Sequence, residues 1–134
     1  MSTLLTYFWL GLGGALGTIA RASLGDLVSK YFVTFPMGTL VINVSGSFVI
    51  AFFGTLTAAD GRWLVSPNAR IFFMTGICGG YTTFSSFSWQ TLNLCRDGEW
   101  LYAGLNVLGS VALCLFAAWL GYIAAMFLNS TKGS

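Results

Sequence analysis

The chain has 134 residues, of which 56% are hydrophobic and only 7% are charged. A soluble domain carries about a quarter charged residues, so too few remain here to coat a water-facing surface. There is no histidine, and the three cysteines, Cys78, Cys95 and Cys114, never stand at metal-ligand spacing, which removes most routes to a catalytic site or a metal cage and leaves the cysteines as buried free thiols.

The charges are clustered. Arg21, Asp26 and Lys30 form one group, Asp60, Arg62 and Arg70 the next, then Arg96, Asp97 and Glu99, with Lys132 alone. Between them lie four charge-free stretches, 1–20, 31–59, 71–95 and 100–131. A bilayer core is about 30 Å thick and takes roughly 20 helical residues to cross. With helix the default in lipid, the pattern predicts an all-α membrane protein, a single four-span domain with spans near 5–24, 35–58, 71–95 and 101–127. Residues 1–20 have no basic n-region and exceed an h-region in length, so they read as the first span and not as a signal peptide. There is no convincing internal repeat and no linker, and the tail Asn129–Ser134 reads as disordered. Four spans place Arg62, Arg70 and Lys132 on one side and Lys30 and Arg96 on the other. That three-to-two bias is too even to fix orientation by the positive-inside rule, and it is compatible with an antiparallel homodimer.

In the first span Gly13, Gly17, Arg21 and Gly25 recur every fourth residue and share a helix face. Gly13-x-x-x-Gly17 is a close-packing signature. Arg21 extends that face at the membrane edge, either snorkelling to the headgroups or standing as a fixed positive charge at the mouth of an anion path. The second span opens with Pro36-Met37-Gly38, and Thr39, Asn43 and Ser47 form one polar stripe on an otherwise apolar helix. Such groups must face a partner or water. They either bond to other helices or line a pathway, and a mid-span amide such as Asn43 is costly without partners.

The third span carries Gly76, Gly79 and Gly80, then Thr82 and Thr83, a poor helix centre. Counting those threonines, residues 82–88 carry five hydroxyls in seven positions, interleaved with Phe84 and Phe87. This predicts a helix break near 79–83, tolerated at membrane depth only inside protein or beside a cavity. Freed carbonyls there can hold a cation, and a half-helix N-terminus can attract an anion. The competing reading is a packing kink whose hydroxyls bond their own backbone. The fourth span repeats Tyr102, Asn106, Ser110 and Cys114 as a weaker polar stripe, equally consistent with packing.

A path lined by hydroxyls, amides and phenyl edges, with no carboxylate, suits an anion. The rim of a phenyl ring is positive, so Phe84 and Phe87 can offer edges to a small anion. Several weak donors in place of water fit a small, hard ion that must also leave again. The residue chemistry reaches a small anion and stops there.

Three motifs go further. Gly-Gly-x-x-Gly-x-x-x-Arg at 13–21, Gly-Thr-Leu-x-x-Asn-x-x-Gly-Ser-Phe at 38–48 and Gly-Gly-x-Thr-Thr-Phe-Ser-x-Phe-Ser at 79–88 together resemble the Fluc/CrcB family of fluoride channels. The resemblance implies a dual-topology antiparallel homodimer with two fluoride pores in a cell inner membrane. It implies that Phe84, Phe87 and Asn43 line the pores, with Ser110, Thr39 and Asn106 on the polar track and Arg21 in the vestibule. It also implies a structural sodium ion at the dimer interface, held by backbone carbonyls of Gly79 and Thr82. The implied partners are fluoride, a second copy and lipid, with no nucleic acid. Two positions depart: the family often has Tyr at Asn106 and an acid at Gln90, which puts conductance and vestibule electrostatics in question.

Other functions fit less well. A proton-coupled small multidrug transporter needs a membrane-embedded acid, and none lies in the expected spans. Gly79-Gly80-Tyr81 is only superficially a potassium filter. A purely structural membrane subunit leaves two polar stripes and a broken helix without a role. An enzyme has no nucleophile–base set to draw on. Without Asp, Glu or His in the spans, and with Arg21 always protonated, transport is expected to be passive.

Overall fold

The computed structural model describes residues 2–131; Met1 and residues 132–134, including Lys132, lie outside it. Helix α1 (Thr3–Ser29) starts at Ser2, whose hydroxyl accepts the Leu5 N–H at 3.3 Å. Helix α2 (Met37–Leu56) follows Pro36. Helix α3 (Pro67–Arg70) is capped by Ser66 and has proline in its first turn, where the missing N–H costs nothing. It runs on into a π-helical segment (Ile71–Cys78) and a last short turn, α4 (Gly79–Tyr81). The backbone then extends at Thr82 and Thr83 before α5 (Phe84–Arg96), and α6 (Trp100–Ser130) ends the described chain.

The described residues are helical with no strand. Three helices, α1, α2 and α6, are long and apolar enough to cross a membrane. The expected span 71–95 is not one helix: it breaks at Thr82–Thr83, within the interval that the glycines and threonines predict. Many large apolar side chains point outward, among them Leu4, Leu108 and Phe127, as expected where lipid is the solvent.

The helices meet through glycine. A Cβ on Gly13 would stand 2.8 Å from the Phe72 carbonyl oxygen and 3.1 Å from the Gly76 Cα. One on Gly80 would stand 2.5 Å from the Gly14 carbonyl oxygen. Here α1 touches the π-helical segment and α4 backbone to backbone, so dispersion and shape hold the pair where lipid offers no hydrophobic drive. Gly38 approaches Gly25 to join α2 to α1, and Gly121 lets α6 lie on the backbone of α2 at Phe48.

Both arginines of the 59–70 loop are engaged. Arg62 Nη1 donates to the Leu128 carbonyl at 3.1 Å and to Thr131 Oγ1 at 2.9 Å. Arg70 Nη1 donates to the Gly54 carbonyl at 3.0 Å and to Thr57 Oγ1 at 2.5 Å. Each cation therefore closes a helix C-terminus, where orphan carbonyls and the helix dipole favour positive charge. This ordering corrects the expectation of a disordered tail for its first residues. Asn129 and Ser130 belong to α6, and the Asn129 amide accepts the Arg62 N–H at 2.7 Å and donates to the Thr55 carbonyl at 3.3 Å. The remainder of that tail, from residue 132, lies outside the described residues.

Candidate functional site at the helix break

The break is built by side chains that take over backbone bonds. In a continuing helix the Thr83 N–H would go to the Gly79 carbonyl and the Ser86 N–H to the Thr82 carbonyl. Instead the Thr83 N–H donates to Asn43 Oδ1 at 2.8 Å, and Asn43 Nδ2 donates to the Thr83 carbonyl at 2.9 Å. The Ser86 N–H donates to Thr83 Oγ1 at 3.2 Å, which makes Thr83 the N-cap of α5. Thus the carbonyls of Gly79 and Thr82 lose their helical donors to side chains, and the break also parts the Gly80 and Tyr81 carbonyls from the Phe84 and Ser85 N–H groups. Gly46 on α2 admits the break: a Cβ there would overlap the Thr82 methyl and crowd the Tyr81 ring. Ser45 and the Tyr81 hydroxyl, 2.8 Å apart, tie α2 to α4 beside it.

Around this break lies a cavity of about 390 Å³, lined from α2 by Asn43, Gly46, Ser47 and Ile50, from the break by Thr82 and Thr83, from α5 by Phe84 and Phe87, and from α6 by Ser110, Val111, Cys114 and Leu115. No acidic residue lines it. The N-terminus of α5 abuts it, and the first N–H groups of a helix have no partner within the helix. The positive end of a helix dipole therefore faces a cavity otherwise lined by hydroxyls, an amide and rings. Phe84 and Phe87 stand with ring centroids 5.3 Å apart and planes at 49°. Phe87 is 9% exposed and Phe84 77% exposed, so one ring is a wall of the cavity and the other its outer rim in the single chain.

From Ser110 a polar chain leads away along α5 and α6. Ser110 Oγ donates to Asn106 Oδ1 at 3.4 Å, Asn106 Nδ2 donates to Thr91 Oγ1 at 2.9 Å, and Thr91 Oγ1 donates to the Phe87 carbonyl at 2.7 Å. Asn106 is 2% exposed and fully absorbed in this chain.

The structure therefore brings together Asn43, Phe84, Phe87 and Ser110, with Asn106 one bond further on. Thr39 lies one turn from Asn43 on the same face of α2, outside the cavity lining. Arg21 is half-buried on α1, also outside that lining. The stripes of the second and fourth spans carry Ser47 and Cys114 into the lining as well. Thr83 was marked in the sequence as part of the break and not as a lining residue; Thr91 and the apolar linings were not singled out. Gln90 points inward, and its side-chain oxygen is buried with no hydrogen-bond partner among the described residues. All three cysteines are free thiols, Cys78 buried and the others half-buried.

Comparison with known proteins places this architecture. The family model described as CrcB-like protein, Camphor Resistance (CrcB), matches residues 8–122. A protein of Opitutus terrae named fluoride-specific ion channel FluC is 61% identical over 129 residues, covering 96% of this chain and 98% of that protein. Proteins of the same name from Paramagnetospirillum magneticum and Methylocella silvestris are 57% identical over 127 residues and 53% identical over 129 residues. They cover 94% and 96% of this chain, and 99% and 98% of their own lengths. The chain belongs to the CrcB-like family.

Proposed function

We propose that this protein is a passive fluoride-selective channel that lets cytoplasmic fluoride leave the cell and so lowers its toxicity. The observation that carries the reading is the cavity at the break: donors and ring edges surround it, and no carboxylate repels an anion. Relatives that share more than half their residues with this chain are named fluoride-specific channels. Dehydrating a small anion is costly unless donors replace its water. The second Nδ2–H of Asn43, the α5 N-terminus and the Phe84 and Phe87 edges are those donors, and the Ser47 and Ser110 hydroxyls join them by turning their hydrogens from the Asn43 carbonyl and the Asn106 amide to the anion. Each is individually weak, which favours exit as well as entry. Asn106 and Thr39 extend the polar route, and Arg21 supplies positive charge at its vestibule. None of these groups stores a proton, so the reading is of a channel and not of an enzyme or a proton-coupled transporter.

The same reading includes four membrane crossings, the third made by the π-helical segment, α4, the break and α5 together. It includes an antiparallel homodimer in the cell inner membrane. Two observations support the dimer. Phe84 projects from the chain at 77% exposure. A Cβ on Gly79 would meet nothing nearer than the Met74 carbonyl at 4.0 Å, which leaves that face open to a second copy. A sodium ion at the centre of such a dimer fits the donor set. Unwound backbone carbonyls are ligands that sodium takes in membrane proteins; the break parts the carbonyls of residues 79–82 from their helical donors, and the family resemblance picks Gly79 and Thr82 among them. When bound, the ion would neutralise carbonyl dipoles brought together from two chains.

The test is ion efflux from proteoliposomes containing the purified protein. Rapid fluoride release, with chloride retained under the same gradient, supports the proposal. Equal release of both ions, or of neither, refutes it.

A further inference from the structure

The anion cavity and the two carbonyls assigned to sodium share a residue. Asn43 reaches the Thr83 peptide with both ends of its amide, at 2.8 Å and 2.9 Å. This two-point grip removes the Thr83 N–H from the Gly79 carbonyl. The Thr83 hydroxyl performs the second diversion, taking the Ser86 N–H away from the Thr82 carbonyl at 3.2 Å. Asn43 is itself seated on α2, where the Ser47 hydroxyl donates to its backbone carbonyl at 2.6 Å.

We infer that Asn43 and Thr83 are positioning residues for the cation site: the Asn43 amide and the Thr83 hydroxyl hold the break open so that the carbonyls of Gly79 and Thr82 stay free for a cation. The inference rests on the sodium reading given above. It gives Asn43 a role on top of lining the anion path. A primary amide suits the grip because it presents one donor and one acceptor to one peptide unit. Alanine offers neither, so the Thr83 N–H loses the partner that competes with the Gly79 carbonyl, and the extended backbone at Thr82 and Thr83 is held by the Thr83 cap alone. Loss of the Thr83 hydroxyl acts on the other carbonyl without touching the anion cavity's amide. Flux lost on replacing Asn43 should therefore be partly recovered at high sodium, which would not follow if Asn43 served the anion alone.

The experiment measures thermal unfolding of the purified full-length protein against sodium concentration, with N-methylglucamine holding ionic strength constant. The variants are Asn43→Ala, Thr83→Ala, Thr83→Ser and Ser110→Ala. Asn43→Ala and Thr83→Ala should raise the sodium midpoint by about tenfold, the scale of one net hydrogen bond. Thr83→Ser keeps the capping oxygen and should titrate like the parent. So should Ser110→Ala, which alters the cavity but not the break. Parent-like midpoints in both Asn43→Ala and Thr83→Ala would overturn the inference while leaving sodium binding intact. A parent protein whose stability ignores sodium would overturn the sodium reading itself. If Asn43→Ala does not fold, the contrast between Thr83→Ala and Thr83→Ser decides the matter.

Discussion

Replacing Gly80 by alanine perturbs the contact that seats α4 on α1. The added Cβ would lie 2.5 Å from the Gly14 carbonyl oxygen, 3.0 Å from its Cα and 3.1 Å from its carbonyl carbon. Carbon atoms rest at about 3.5–4.0 Å, so α4 must withdraw by roughly 1 Å. Forcing an extra methyl into a packed site costs about 1–3 kcal/mol, and the upper end applies because the obstacle is backbone and no side chain can turn away. The mirror substitution, Gly14→Ala, should behave oppositely. A Cβ at Gly14 meets nothing within 4 Å, and alanine gains about 1 kcal/mol of helix propensity over glycine. The two sides of one contact should thus differ by about 2–4 kcal/mol when each receives the same methyl. Reversible unfolding in mixed micelles, followed by tryptophan fluorescence, reads the difference. Gly80→Ala should also lose fluoride flux, since α4 leads directly into the break. Equal stabilities for the two variants would refute the close approach of α1 and α4 described here.

Phe84→Ile and Phe87→Ile should each reduce fluoride flux several-fold in folded protein, because each removes a ring edge from the cavity without adding charge; flux at the parent rate in both would leave the rings a packing role only. Phe87, at 9% exposure, should also lose stability, whereas Phe84 should lose stability only where a second copy covers it, which the dependence of unfolding on protein concentration detects. Arg70→Met should cost about 1.5–3 kcal/mol, the range for hydrogen bonds to a charged group, through loss of the bonds to Gly54 and Thr57 at the end of α2. Flux per folded protein should not change in Arg70→Met; a specific flux defect would put the C-terminus of α2 in the ion path.

The helical class and the break were legible because both rest on chain-local properties. Charge-free length marks α1, α2 and α6, and Gly79, Gly80, Thr82 and Thr83 together make a helix centre that propensity cannot sustain. Polar stripes at helical spacing located Asn43 and Ser110. What each stripe does was not legible, because it depends on neighbours far along the chain. The Asn43 amide bonds a peptide 40 residues away, so the interhelical bond, one of the alternatives open in the sequence, is made, and the same residue lines the cavity proposed as the pathway. Asn106 similarly turns out to be consumed by Thr91 and Ser110. The π-helical turn from Ile71 to Cys78 carries no propensity signal of its own; it lies where Gly76 presses against Gly13, and tertiary packing overrides local preference there. The charges of Arg62 and Arg70 read as loop charge, yet both are spent on helix C-termini. That use depends on where α2 and α6 end, which shows only once the helices are placed side by side.

Passive conduction is the centre of the account. The cavity and its polar chain contain no acid and no histidine, so nothing along the route can carry a proton through a transport cycle. The most direct measurement is the reversal potential of the purified protein in a planar bilayer, with fluoride and pH gradients imposed independently. A current that reverses at the fluoride Nernst potential, whatever the pH gradient, is the predicted result. A reversal potential that moves with the pH gradient would mean coupled exchange and would contradict the account.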